Sequence, residues 1–175
     1  ANDDFSAATV FPAGTYSAST TLYTTLATTA ADDPNFPCVG NVPRYNTVWF
    51  SYTPTASQWV GVDTIFSDYD TVLGVWTGSR GALWNVGCSD DYNGLQSRVE
   101  FFADPGVTYY IEAASYYSPG LLTLHFNAAD LELVSFFGAG ANDGWVLESE
   151  EDSGKGSDTR DWTSTTARLG DDSAD

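Results

Sequence analysis

Three pairs of aspartates carry the most pointed chemistry in this sequence: Asp3 with Asp4, Asp68 with Asp70, and Asp90 with Asp91. Clustered carboxylates presented by loops are what a hard divalent cation takes as ligands, so calcium is the cofactor these positions suggest. Residues 89–100 approach the register of an EF-hand loop, with Asp91, Asn93, Gly94 and Glu100 at its third, fifth, sixth and twelfth positions. Ser89 spoils the first position, and the flanking pattern is that of strands rather than helices, which argues against a true EF-hand. The same acids have a local reading. An aspartate caps a turn by accepting backbone N–H bonds, and Asp70 would pin the bend before TVLGVWT in this way.

A second candidate surface is aromatic. Trp84, Tyr92, Tyr116 and Tyr117 fall near expected loops or strand ends, where they either stack on sugar rings or collagen-like chains or close the ends of a core. His125 is the single histidine, so a multi-histidine zinc site cannot be built. Its place in the alternating segment LTLHF makes it structural, and no GxSxG elbow supplies it with a nucleophile. The 24 acidic residues leave room for a glycosidase pair, yet nothing positive points to one. These residues favour a non-catalytic protein.

Strands must position all of them. From Gly14 to Phe126 the chain is short-period, alternating and rich in β-branched and aromatic residues, with 10 Tyr, 10 Phe and 6 Trp in the whole sequence. The pattern predicts strands at Thr47–Thr53, Gln58–Thr64, Thr71–Thr77, Leu83–Cys88, Ser97–Ala103, Val107–Ala114 and Gly120–Phe126. Gly, Pro, Asn and Asp at the joins indicate an all-β, jelly-roll-like antiparallel β-sandwich. In the first strand Val48, Phe50 and Tyr52 share one side and Trp49 and Ser51 the other, and one of the two sides is expected to be core. Asn93-Gly94 is read as a tight hairpin turn with positive φ angles, and Pro105-Gly106 as a second turn.

A net charge of −18, from 24 acidic and 6 basic residues, repels phosphate backbones and anionic lipid, which excludes nucleic acid as a partner. Such acidity either keeps a secreted protein soluble or reflects a salt-rich setting. Cys38 and Cys88 form no CxxC pair. They are read as one disulfide, with two buried thiols as the alternative, and a disulfide implies an oxidising compartment. No apolar run reaches membrane-spanning length, so membrane insertion is not expected. No basic segment precedes Ala1, as in a mature chain after signal removal.

The stretches NDDFSAA, NTVWFSYTP, SDYDTVLGVWTG, CSDDYNGLQSRVEFFADPGVTYYIEAASY and GLLTLHF occur in an order that resembles the bacterial pre-peptidase C-terminal (PPC) domain, over about residues 2–126. The resemblance implies a β-sandwich appended to secreted enzymes and surface proteins. It implies an accessory rather than catalytic role, with calcium binding or adhesion to an extracellular polymer in some members.

A boundary is expected near Asn127, giving a sandwich over 1–126 and an extension over 127–175. The extension holds one more apolar strand, LELVSFF, with Leu131, Leu133, Val134, Phe136 and Phe137, and then an acidic Gly/Ser/Thr-rich stretch. The segment from DGWVLESEE to the end resembles the start of another β module of surface proteins. It is a linker, the start of that module, or a strand donated to a neighbouring copy. The leading functional reading is an accessory or adhesion module, secreted or on the cell surface, whose partners are other domains or an extracellular polymer. The alternative is a filament subunit assembled by strand exchange through the extension.

Overall fold

The computed structural model describes residues 2–41 and 43–130. Each of the seven expected strands forms. They are β3 (Tyr45–Tyr52), β4 (Gln58–Asp63), β5 (Thr71–Ser79), β6 (Ala82–Asp90), β7 (Arg98–Ala103), β8 (Tyr109–Ser115) and β9 (Leu121–Asp130). Two strands precede them, β1 (Thr9–Phe11) and β2 (Ser17–Tyr23). β1 has three residues and β2 is mostly Ser, Thr and Ala, so neither shows the apolar alternation that marks the others. The strands build a five-stranded sheet, β1-β3-β8-β5-β6, and a four-stranded sheet, β2-β9-β4-β7. All pairings are antiparallel except β1 with β3.

The two sheets close on one apolar layer. Val48, Phe50, Tyr52, Leu73, Val75 and Ile111 from the larger sheet meet Val60, Val62, Phe101, Leu122, Leu124 and Phe126 from the smaller. Alternate residues of β3, β4, β5, β7, β8 and β9 enter this layer, as the pleat requires.

The larger sheet is buried on its outer side as well, which corrects the expectation that only one side of β3 is core. Trp49 is fully buried there with Phe36, Val72, Trp76 and Ala114, and Phe5, Val39, Cys88 and Tyr110 pack around them. The cover comes from the N-terminal turn Phe5–Ala7 and the turn Pro37–Val39. Gly74 on β5 makes room for it: a Cβ there would lie 2.8 Å from Trp76 Nε1 and 3.0 Å from Phe36 Cε1. Cys38 and Cys88 are bonded, with Cα atoms 5.5 Å apart, and fasten the second turn to β6. A disulfide of this kind persists in oxidising compartments.

The hairpin turns differ in detail from the expectation. Asn93 does not take a positive φ; Gly94 does, at 68°, as the first central residue of a turn closed by paired bonds between Asn93 and Gln96. Pro105 and Gly106 form the expected turn, with Gly106 at φ 76° and Val107 N–H donating to Asp104 O. β9 does not stop at Phe126, since Asn127, Ala128, Ala129 and Asp130 continue its ladder with β4. Leu131, Leu133, Val134, Phe136 and Phe137, and the acidic stretch after them, lie outside the described residues.

Candidate cation site and aromatic surfaces

One of the three expected aspartate groups gathers into a larger cluster. Asp90 ends β6, Asp91 follows it with φ 57°, and Asp70 immediately precedes β5, the neighbour of β6. Carboxylate oxygens of these three residues all lie within 4.8 Å of one another. Buried hydroxyls lock the loops that carry them. Thr64 and Thr71 share a hydrogen bond of 2.6 Å, Ser97 N–H donates to Thr64 Oγ1, and Ser97 Oγ donates to Thr71 O. Thr71 N–H also donates to Leu95 O, so the 91–97 loop is tied to the start of β5.

The electrostatics of the cluster are unresolved by protein groups. Oδ1 of Asp70 and Oδ1 of Asp90 are buried without a hydrogen-bond partner among the described residues. Asp70 therefore does not pin its bend through that oxygen; its backbone carbonyl accepts from Tyr116 N–H instead. Loss of solvent, followed by the charges of Asp91 and Asp70, pushes the Asp90 carboxyl up to about 6. Loss of solvent and Asp91 raise Asp70 as well. Arg44 opposes both shifts, but its guanidinium sits 4.0 Å over the Tyr116 ring and donates to Val39 O rather than forming an ion pair with either acid. Three crowded carboxylates with unpartnered oxygens can hold a metal cation.

The remaining candidate acids are used locally. Asp4 Oδ1 accepts from Ser6 N–H and Ser6 Oγ and pairs with Arg80 at 2.8 Å, and these contacts lower its carboxyl to about 2. Asp3 accepts from Thr28, and Asp68 accepts Leu121 N–H at 2.7 Å where β9 begins. Glu100, the twelfth position of the EF-hand register, stands on β7 and pairs with Arg98, while Ser89 Oγ accepts Arg98 N–H. The register is therefore not a coordination loop: extended strands at both ends carry Glu100 away from Asp91. His125 hydrogen-bonds Asp63 at 2.8 Å through Nδ1. Ser19 is its cross-strand neighbour on β2, yet no hydrogen bond joins the two among the described residues.

The four aromatic candidates do not form one platform. Tyr116 and Tyr117 pair edge to face with centroids 4.5 Å apart, and Tyr116 N–H bonds Asp70 O. Tyr92 lies under Arg98, 5.6 Å from its guanidinium. Trp84 is exposed on β6, six residues from Asp90 along an extended strand and so about 20 Å away. Sequence reasoning passed over Trp59, Phe102 and Tyr16, which are exposed on the smaller sheet. The signal was present in QWVGVD, where Val60 and Val62 claim the inner face and leave Trp59 outside.

No protein-family model matches the chain, and no curated protein is similar to it. Solved structures are. The pre-peptidase C-terminal domain of collagenase from Bacillus anthracis is 14% identical, with 70% of this chain and 94% of that one covered at a TM-score of 0.42. PliG of Aeromonas hydrophila, a periplasmic inhibitor of g-type lysozyme, is 14% identical over 69% of this chain and 96% of its own, at 0.44. CorA, a surface-associated copper-binding protein of Methylomicrobium album BG8, is 8% identical over 70% and 96%, at 0.36. The chain is an all-β sandwich with a PPC domain among its structural neighbours, the family that its sequence resembles.

Proposed function

We infer that the chain is a non-catalytic accessory module of a secreted or cell-surface protein, serving adhesion to an extracellular polymer or bridging to other domains, and stabilised by calcium. The carrying observation is the meeting of Asp70, Asp90 and Asp91, two of which keep a buried oxygen with no partner. The spacing admits calcium: oxygens about 2.4 Å from a shared ion lie no more than about 4.8 Å apart, and one oxygen from each of the three residues meets that bound. Bound there, the ion would replace the missing hydrogen bonds, offset the repulsion that raises Asp90, and tie the end of β6 to the loop before β5. A divalent ion would also offset two of the three carboxylate charges, which matters in a chain of net charge −18.

Thermal unfolding of the full chain at neutral pH, in millimolar calcium and in chelator, tests this. Calcium is expected to raise Tm in a saturable way, by an amount equivalent to about 2.7 kcal/mol at a hundred times Kd. Asp70→Asn combined with Asp90→Asn should abolish the response while the chain remains folded in chelator. Identical melting in both conditions would remove calcium from the proposal.

A further inference from the structure

The outer face of the four-stranded sheet carries an open cleft of about 360 Å³, near the lower end of volumes that hold small ligands. Gly61 on β4 forms its floor. A Cβ at Gly61 would stand 3.8 Å from Glu100 Cγ and 4.0 Å from Arg98 Nη2, touching nothing closer, so the absent side chain is what opens the depression. Aromatic rings also line it. Trp59 is 54% exposed and Tyr16 57%, and Phe102 holds Trp59 edge-on across the β4–β7 ladder, with centroids 5.6 Å apart at 74°.

Polar groups flank Gly61 from both neighbouring strands, Glu100 on β7 and Asn127 on β9. Arg98 and Glu100 on β7 engage each other through Oε1 of the glutamate, which leaves Oε2 without a partner among the described residues. On β9, Asn127 Oδ1 accepts from Ser17 Oγ at 3.2 Å, so its amide N–H groups are left to donate. Aromatic faces beside separate donors and acceptors suit a flat, neutral, hydroxyl-bearing ring: C–H groups lie on the indole, and hydroxyls reach carboxylate, guanidinium and amide. Charge argues against an anionic ligand. Arg98 is already paired with Glu100, and a chain of net charge −18 repels sulfated or uronic polymers.

We propose that this cleft binds a neutral hexopyranose chain, with Trp59 and Tyr16 stacking on sugar rings and Glu100, Arg98 and Asn127 hydrogen-bonding hydroxyls. This rests on the adhesion reading above and names the polymer class it requires.

Isothermal titration of the full chain with cellohexaose, maltohexaose and laminarihexaose, beside hexagalacturonate as the anionic control, tests the proposal. At least one neutral hexasaccharide should bind, and Trp59→Ala should weaken it about tenfold or more. Gly61→Val, which fills the floor, should do the same, whereas Trp84→Ala should bind as the wild type does. The cleft is overturned if no neutral hexasaccharide binds, if both cleft variants bind normally, or if hexagalacturonate binds best. Self-association that disappears in Trp59→Ala also overturns it, because the cleft would then be a contact between copies. Tm in calcium and in chelator, taken on the same samples, separates the two proposals. Lost sugar binding with an intact calcium response sinks the cleft alone, and the reverse result sinks the cation site alone.

Discussion

The outer faces of the two sheets are built from similar residues and meet opposite fates. On the larger sheet Trp49, Trp76 and Val72 are sealed under the turns at Phe5–Ala7 and Pro37–Val39. On the smaller sheet Trp59 and Phe102 stay in solvent beside Arg98, Glu100 and His125. An outward tryptophan on a strand is therefore not by itself core or ligand surface. What decides is whether some other part of the chain is tied down over it.

Removing the ring from each face should break the symmetry most plainly. Trp49 is 0% exposed, and Trp49→Ala should cost about 3–5 kcal/mol in urea unfolding, through lost burial and the cavity left behind. Replacing Cys38 and Cys88 together by serine releases a loop with a sequence separation of 50. In the chain-entropy picture that costs about 4 kcal/mol at most, again measured in urea.

The sealed face also holds Glu112, fully buried with both carboxylate oxygens unpartnered among the described residues and the Trp76 indole nearby. Burial, then the charge of Asp33, pushes its carboxyl well above its ordinary 4.5. The folded chain thus takes up a proton that the unfolded chain releases, and the stability this gives is lost as pH rises from 4.5 through the folded value. Glu112→Gln removes that dependence, so its stability relative to wild type should improve with rising pH in urea series. Asp90 behaves alike over a narrower window. In chelator its contribution is full below 3.8 and gone above about 6, and saturating calcium should abolish this loss by favouring the ionised form. The smallest expected effect is on the open face: Trp59→Ala should change stability by only about 0.5 kcal/mol in the same assay.

Alternation and turn chemistry made β3–β9 legible, because each carries β-branched or aromatic residues at period two. They failed at β2, where the inner face reads Ala18, Thr20 and Leu22 against Ser17, Ser19 and Thr21, so that only one large apolar residue marks it. The near-continuous apolar run TVLGVW of β5 signals burial on both faces, a reading the sequence permits but that needs a knowledge of the cover to complete. The cation site was half legible. Adjacent Asp90 and Asp91 stand out in any reading, but the third member depends on β5 lying beside β6 and on the Thr64–Thr71–Ser97 bonds that bring Asp70 to them. Asp68, with the same sequence appearance, is spent on the first N–H of β9.

The bond between Cys38 and Cys88 straps one of the two covering turns to β6. The sandwich itself closes through Val48, Phe50, Val62, Ile111 and Phe126, none of which relies on the covering turns. In a reducing medium the first event should therefore be detachment of the segment around Phe36 to Gly40, which opens that segment to proteases and the Trp76 indole to solvent quenchers, while Phe5 still covers Trp49 and the paired sheets persist. Resistance of that segment to cutting would then depend on one covalent strap, and the history of oxidation of a given molecule would be written in how quickly the segment is cut.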